Sequence, residues 1–173
     1  MAAGNTYVAI ATNTLSSAAA TIDFTSIPST YTDLFIAVNC GPTSTGGQDL
    51  RIRFNSDTGT NYSVTILRGV TGGLALSSRY STQTFIYLDV SGGVSNALNS
   101  SYNVNVMNYA NTTTYKTVLS RFGDVGSTNT NAATEAEVGL WRSTAAITSI
   151  SLSYSSGNIM TGSTASLYGI AAA

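Results

Sequence analysis

The segment LRIRF at residues 50–54 alternates apolar side chains with arginines. Successive side chains of a β-strand point to opposite faces, so this alternation predicts a strand with one buried face. The same period of two recurs in YNVNV at 102–106 and in ISLSY at 150–154. Strands that each bury one face are typical of two sheets packed face to face.

Strand patterns extend over most of the chain. DLFIAVNC at 33–40 and TFIYLDV at 84–90 are continuous apolar runs, which predict strands covered on both faces. The best helix candidate, NAATEAEVGLW at 131–141, lacks apolar residues at i and i+4. The predicted strands are 6–12, 19–25, 33–40, 50–55, 62–69, 76–81, 84–90, 101–109, 115–123, 134–142, 147–154 and 165–170.

The segments between these strands are rich in Gly, Asn, Ser and Asp, which favour turns. Many short strands without a repeat of about 40 residues predict an all-β fold, a jelly-roll-like antiparallel β-sandwich. We expect one domain over residues 1–173, with 1–5 and 171–173 as flexible or partner-bound arms.

The composition is poor in groups that carry chemistry. The 173 residues include no His, one Cys, one Lys and eight carboxylates, beside 24 Ser, 26 Thr, 14 Asn and 16 Gly. Most enzymes depend on ionisable groups with tuned pKa values. The composition therefore favours a scaffold or a binding protein, with no enzymatic activity, no catalytic residue and no cofactor.

The charges also limit the classes of partner. The seven basic residues are scattered and the net charge is −1, so we expect no nucleic-acid partner. No stretch approaches the roughly 20 apolar residues of a membrane-spanning helix, so we expect no membrane partner. A surface with so few charges favours burial between copies, and we expect a homotrimer.

Two segments carry carboxylates at spacings that suggest a site. Asn55, Asp57, Gly59 and Asn61 alternate like the start of a calcium loop, but they contain one carboxylate, so a hairpin turn is favoured over a metal site. We expect no metal.

Glu135 and Glu137 fall on one face of a predicted strand, about 6–7 Å apart. That spacing suits paired carboxylates for sugar hydrolysis. The favoured alternative is a solvated strand face, or a salt bridge between subunits to Arg142 or Arg121.

Aromatic residues are the remaining candidates. Tyr62, Tyr80, Tyr109 and Tyr115 flank predicted turns, where exposed rings would stack on sugars. The favoured alternative is that these tyrosines fill the edges of the sandwich and contacts between subunits. Trp141 and the lone Cys40 are predicted core residues.

Three stretches together point to a family: SSAAATIDFTSIPSTYTDLFIAV at 16–38, EVGLWRSTAAITSISL at 137–152 and SLYGI at 166–170. In that order, with a Gly/Asn turn and NYS between the first two, they resemble small β-rich proteins of tailed bacteriophages, including cyanophages. The resemblance implies a virion structural protein with a jelly-roll fold and no catalytic residues. Some members are capsid cement or decoration proteins, and others belong to tail fibres or host-binding appendages.

We therefore expect a virion protein, assembled in the host cytoplasm, that stabilises the capsid by bridging subunits of the major capsid protein or other virion proteins. The chain carries no heptad stretch that would form a fibre shaft. The alternative is a tail-fibre or receptor-binding module that recognises a host-surface glycan through exposed tyrosines.

Overall fold

The computed structural model describes residues 6–70, 72–90, 100–124 and 133–171, and within these ranges the backbone forms twelve β-strands and no helix. The described part therefore contains no helix long and apolar enough to cross a membrane. The strands are β1 (Tyr7–Thr14), β2 (Ile22–Phe24), β3 (Asp33–Cys40), β4 (Leu50–Phe54), β5 (Tyr62–Val70), β6 (Leu74–Gln83), β7 (Ile86–Tyr87), β8 (Ser100–Met107), β9 (Lys116–Asp124), β10 (Ala133–Trp141), β11 (Ile150–Tyr154) and β12 (Thr164–Ile170).

These strands form two antiparallel sheets. The larger sheet has eight strands in the order β1-β12-β3-β8-β9-β10-β5-β6, and the smaller has four in the order β2-β11-β4-β7. The predicted all-β antiparallel sandwich is confirmed. Because one sheet has eight strands and the other four, the jelly-roll-like connection of the strands stays a prediction.

Each predicted strand is present, β3 with the predicted ends and the others with shifted ends, and the helix candidate at 131–141 contains strand β10. The expectation that 33–40 and 84–90 are covered on both faces is wrong. In β3 the outward Phe35 and Ala37 are half-buried and Asn39 is exposed, because none of the described elements forms a further layer on this side of the larger sheet. In the second run only Ile86–Tyr87 is strand, and it lies at the edge of the smaller sheet.

The core lies between the two sheets and is one continuous cluster of apolar side chains. Leu50, Ile52 and Phe54 of β4 are fully buried, as the alternation of LRIRF predicts. Trp141 is 2% exposed and stacks on Tyr62 with ring centroids 6.1 Å apart, which confirms its assignment to the core. Cys40 is also buried as predicted, and burial raises the pKa of its thiol to about 12.

The described strands all belong to this one sandwich. The predicted arm at 1–5 and residues 172–173 of the arm at 171–173 lie outside the described residues. Ala171 is described, and its N–H donates to the Thr6 carbonyl at 3.0 Å, which continues the pairing of β12 with β1.

Candidate functional site

The two glutamates of β10 point into the sandwich. Glu135 and Glu137 are 3% and 2% exposed, so the expected solvated strand face is wrong. Both alternate with the outward residues Thr134, Ala136 and Val138, which places them on the face that packs against the smaller sheet. The carboxylates share a face as their spacing predicts, but that face is interior.

The arginines suggested as salt-bridge partners lie elsewhere. Arg121 projects from the exposed side of β9, on the face of the sheet opposite to the glutamates. The Arg142 guanidinium donates to Ser63 Oγ at 3.2 Å and to the Thr60 carbonyl at 3.0 Å. The Arg142 guanidinium therefore serves other contacts, and Arg121 points away from both glutamates. Because both glutamates are buried inside the chain, the expected salt bridge between subunits is wrong as well.

The glutamates join a buried polar cluster that also includes Asp89. The Ser120 hydroxyl donates to Glu137 Oε2 at 2.5 Å, and the Val90 N–H donates to Glu135 Oε2 at 2.9 Å. Burial raises the pKa of Glu137 to about 9, against the opposing effect of the Ser120 hydrogen bond. Glu137 is therefore protonated at neutral pH, and burial keeps a substrate from the pair. This environment supports a structural role over sugar hydrolysis.

Asp89 connects the two sheets. Its Oδ2 accepts hydrogen bonds from the Leu50 N–H of β4 at 3.0 Å and from the Tyr102 hydroxyl of β8 at 2.7 Å. Burial is the largest of several influences that raise the pKa of Asp89 well above its ordinary value. One fully buried carboxyl group thus fixes the segment after β7 to both layers.

The segment suggested as a calcium loop is a connection between two strands that hydrogen bonds hold in place. It joins β4 of the smaller sheet to β5 of the larger one, so the expected hairpin turn is wrong. The Asp57 carboxylate accepts hydrogen bonds from the Gly59 N–H, Asn61 Nδ2 and Trp141 Nε1 at 2.8, 3.0 and 2.7 Å. Mainly through the Trp141 bond, these contacts hold the pKa of Asp57 below its ordinary value.

The neighbouring Asn55 also holds this connection in place through hydrogen bonds. Its Oδ1 accepts from the N–H groups of Thr148 and Ser149 at 2.8 and 3.1 Å. The side-chain oxygens of Asn55 and Asp57 thus accept hydrogen bonds from N–H groups. This arrangement suits a fixed turn better than a cation site. Among the described residues, no group of three or more Cys, Asp or Glu is placed to hold a metal ion.

The tyrosines divide between core and surface. Tyr62 and Tyr109 are fully buried and Tyr80 is half-buried, so of the four candidates only Tyr115, at 54%, is exposed. The exposed aromatic group that sequence reasoning missed consists of Tyr7, Phe35 and Tyr168. Tyr7 lies 5.7 Å from Phe35 and 6.5 Å from Tyr168, measured between ring centroids.

This aromatic group forms on the outward face of the larger sheet, from three adjacent strands. β12 pairs Tyr168 with Phe35 of β3, and β1 is the next strand. The alternation within each strand indicates an outward position for each ring. It does not give the order of the strands, so the sequence could not show that the rings meet.

The same outward face carries an apolar patch at its other end. We call Leu67, Leu119, Ala136 and Val138 the outer patch. Ala136 lies opposite Leu67 of β5, and Val138 lies opposite Leu119 of β9, so the four residues cover three adjacent strands. Leu67, Val138 and Leu119 are 63%, 53% and 40% exposed.

A groove runs along the outer patch, with a volume of about 640 Å³. Its remaining side is polar and includes Asn103, Asn105 and Arg121. Across the four strands that line it, Arg121 is the charged residue that points outward. Arg79 lies next to the groove, on the edge strand β6. An apolar floor with a polar, weakly charged rim is the composition of a protein-binding surface.

Comparison of the chain with protein-family models, with curated proteins and with solved structures found no match.

Proposed function

We propose that this protein is a bacteriophage virion structural protein, a capsid cement or decoration protein that docks on the shell through the outer patch. The observation that carries the proposal is the outward face of the eight-stranded sheet, on which no described element packs and where Leu67 and Val138 are more than half exposed. Contiguous exposed apolar surface commonly marks a contact with another protein.

The energy that the patch offers suits a repeated contact. Full burial of a leucine or valine side chain contributes about 1.5–3 kcal/mol, so completing the burial of three half-exposed side chains contributes about 3 kcal/mol. One such contact is weak. A shell lattice presents many equivalent sites, so a protein that bridges shell subunits gains from several contacts at once.

The interior supports the same assignment. The buried carboxyl groups of Asp89 and Glu137 hold the sandwich together and are shielded from solvent. The sequence resemblance to virion proteins of tailed phages supports a shell protein as the partner, because some of those proteins are capsid cement or decoration proteins.

The test is to add purified protein back to particles that lack it. Leu67→Lys and Val138→Lys place a charge in the outer patch and should each reduce occupancy at least tenfold. Leu74→Lys is the matched control, because Leu74 is 59% exposed but projects from β6 on the other face of the sheet. Equal occupancy for Leu67→Lys and wild type would refute docking through the outer patch.

Particle stability gives a second readout. Particles without the protein should assemble, burst at lower temperature or milder osmotic shock, and adsorb to cells normally. Addition of wild-type protein should restore their stability, and Leu67→Lys should not. Particles of unchanged stability that fail to adsorb would contradict the cement function.

The aromatic group favours a second candidate, the host-glycan-binding appendage. Tyr7 is 56% exposed, and Phe35 and Tyr168 are half-buried beside it, so the rings offer apolar surface to a sugar. Tyr7→Ala with Tyr168→Ala should then abolish binding to host-surface glycan, whereas Tyr115→Ala should not. If the doubly substituted protein binds glycan as wild type does, this candidate is wrong.

A further inference from the structure

Strand β6 forms one edge of the larger sheet, and from Leu74 to Ser77 no described element covers either of its faces. Its residues from Leu74 to Ser77 are all exposed, and no residue of the strand is fully buried. Leu74 and Leu76 are 59% and 40% exposed although they lie opposite Val70 and Arg68, on the face that elsewhere packs against the smaller sheet. The eight-stranded sheet therefore extends beyond its four-stranded partner at this edge.

Proteins usually block edge-to-edge pairing with proline, several charges, a bulge or a very short strand. The segment Leu74–Tyr80 of β6 has no proline, one charge, Arg79, and regular pairing with β5. The register of β6 against β5 shifts only beyond this segment, between Tyr80 and Gln83. The opposite edge, β1, is interrupted by a register shift between Ala9 and Ala11. The smaller sheet ends in strands of three and two residues.

We propose that β6 pairs antiparallel with β6 of a second copy of this chain, about a twofold axis at Ser77. The two eight-stranded sheets then become one continuous sheet. A twofold contact brings the same strand from both copies together, so it needs no second complementary surface.

Ser77 is the centre of the regular segment Leu74–Tyr80, so an axis there pairs all seven of its residues, and the side chains are compatible with this register. In a continuous sheet, directly opposite residues share a face, so the axis must pass through a residue and not between two. An axis at Arg79 would place the two guanidinium groups opposite each other, which is unfavourable. An axis at Ser77 places Arg79 beside Ala75 of the second copy.

The Ser77 axis also covers Leu74, the more exposed of the two leucines of β6. It places Leu74 opposite Tyr80 of the second copy, on the face where Tyr80 already packs on Tyr87 with ring centroids 5.0 Å apart. Each dimer gains two such apolar contacts. Leucine against an aromatic ring is a favourable cross-strand pair.

The size of the contact determines its strength. Seven paired residues span about 24 Å, and a sheet layer is about 10 Å thick. The contact is therefore well below the standard interface of about 800 Å² per partner, and we expect a reversible dimer at micromolar or higher concentration. The twofold contact competes with the trimer that composition favours.

Sedimentation velocity from 5 to 200 μM measures the mass. We expect a monomer–dimer equilibrium for wild type and for Leu67→Lys, whose substitution lies in the outer patch. Leu74→Lys should stay monomeric at all concentrations with an unchanged far-UV circular dichroism spectrum. A trimer, a monomer throughout, or a dimer that persists in Leu74→Lys would overturn the proposal.

Cysteine trapping tests the register. Cys40 is buried, so an introduced cysteine is the thiol that reacts at the surface. Under mild oxidation Ser77→Cys should yield a disulfide-linked dimer, and Ser16→Cys, in the exposed loop after β1, should stay monomeric. Equal cross-linking of both variants would contradict the register.

The crossed controls separate this inference from the proposed function. If Leu67→Lys loses particle binding and still dimerises, both the docking through the outer patch and the dimer through β6 are supported. If Leu74→Lys dimerises as wild type does, the inference fails alone.

Discussion

The buried glutamate of β10 makes stability depend on pH in a direction opposite to that of most carboxylates. The pKa of Glu137 is about 9 in the folded protein and 4.5 as an ordinary side chain. The folded state therefore holds a proton that the unfolded state loses, and stability falls as pH rises from 4.5 to 9. The contribution of the protonated Glu137 to the stability of the fold is fully present below pH 4.5 and is lost by about pH 9.

The substitution Glu137→Gln replaces the protonated acid with a neutral amide of similar shape. Each pH unit within the window costs wild type about 1.36 kcal/mol, so the free energy of unfolding should fall by about 2.5 kcal/mol between pH 5 and pH 7 through this group. Burial also raises the pKa of Asp89, which adds a loss of the same sign to both proteins. The difference between variant and wild type isolates Glu137.

Urea unfolding followed by fluorescence provides the measurement, because Trp141 is the one tryptophan and is buried against Phe54 and Tyr62. We expect Glu137→Gln to gain about 2.5 kcal/mol relative to wild type from pH 5 to pH 7. Asp23→Asn, at an exposed carboxylate, is the control and should follow wild type. Parallel curves for Glu137→Gln and wild type would refute the assignment of a buried, protonated glutamate.

Three further predictions concern the fold. Asp57→Ala removes three hydrogen bonds and leaves Trp141 Nε1 without its acceptor, so urea unfolding should show a loss of about 2–3 kcal/mol; a loss below 0.5 kcal/mol would contradict that role. EDTA should shift the melting temperature by less than about a degree, since metal binding stabilises the folded state by mass action, and a drop of several degrees would restore the ion site at 55–61. Gly139→Ala would place a Cβ 2.7 Å from Ile86 Cγ2, so overpacking should lower the free energy of unfolding by about 1–3 kcal/mol. Adding Ile86→Val should recover part of this loss, whereas additive losses in the double variant would contradict a direct clash.

The sequence predicts the strands well because their signal is local. Alternation in LRIRF places Leu50, Ile52 and Phe54 in the core without knowledge of their neighbours. The covering of each face is not local. DLFIAVNC contains Phe35 and Ala37 on a face where they stay half exposed, outside the two described sheets' shared core, and its composition alone does not show this.

The candidate sites illustrate the same limit. The spacing of Glu135 and Glu137 predicts a shared face, but which face is buried depends on how β10 packs against the smaller sheet. Polar residues are usually solvated, so the pattern favoured the exposed side. The outer patch combines residues from β5, β9 and β10, and its existence follows from strand order, which short-range patterns do not contain.

The location and copy number of the protein in purified particles test the central claim most directly. Quantitative mass spectrometry against the major capsid protein, with cryo-electron microscopy of the same particles, gives both. The cement function predicts a copy number in fixed ratio to the shell subunits, with Leu67, Leu119 and Val138 turned toward the shell. A few copies at the tail, or a shell-bound protein with this face open to solvent, would contradict it.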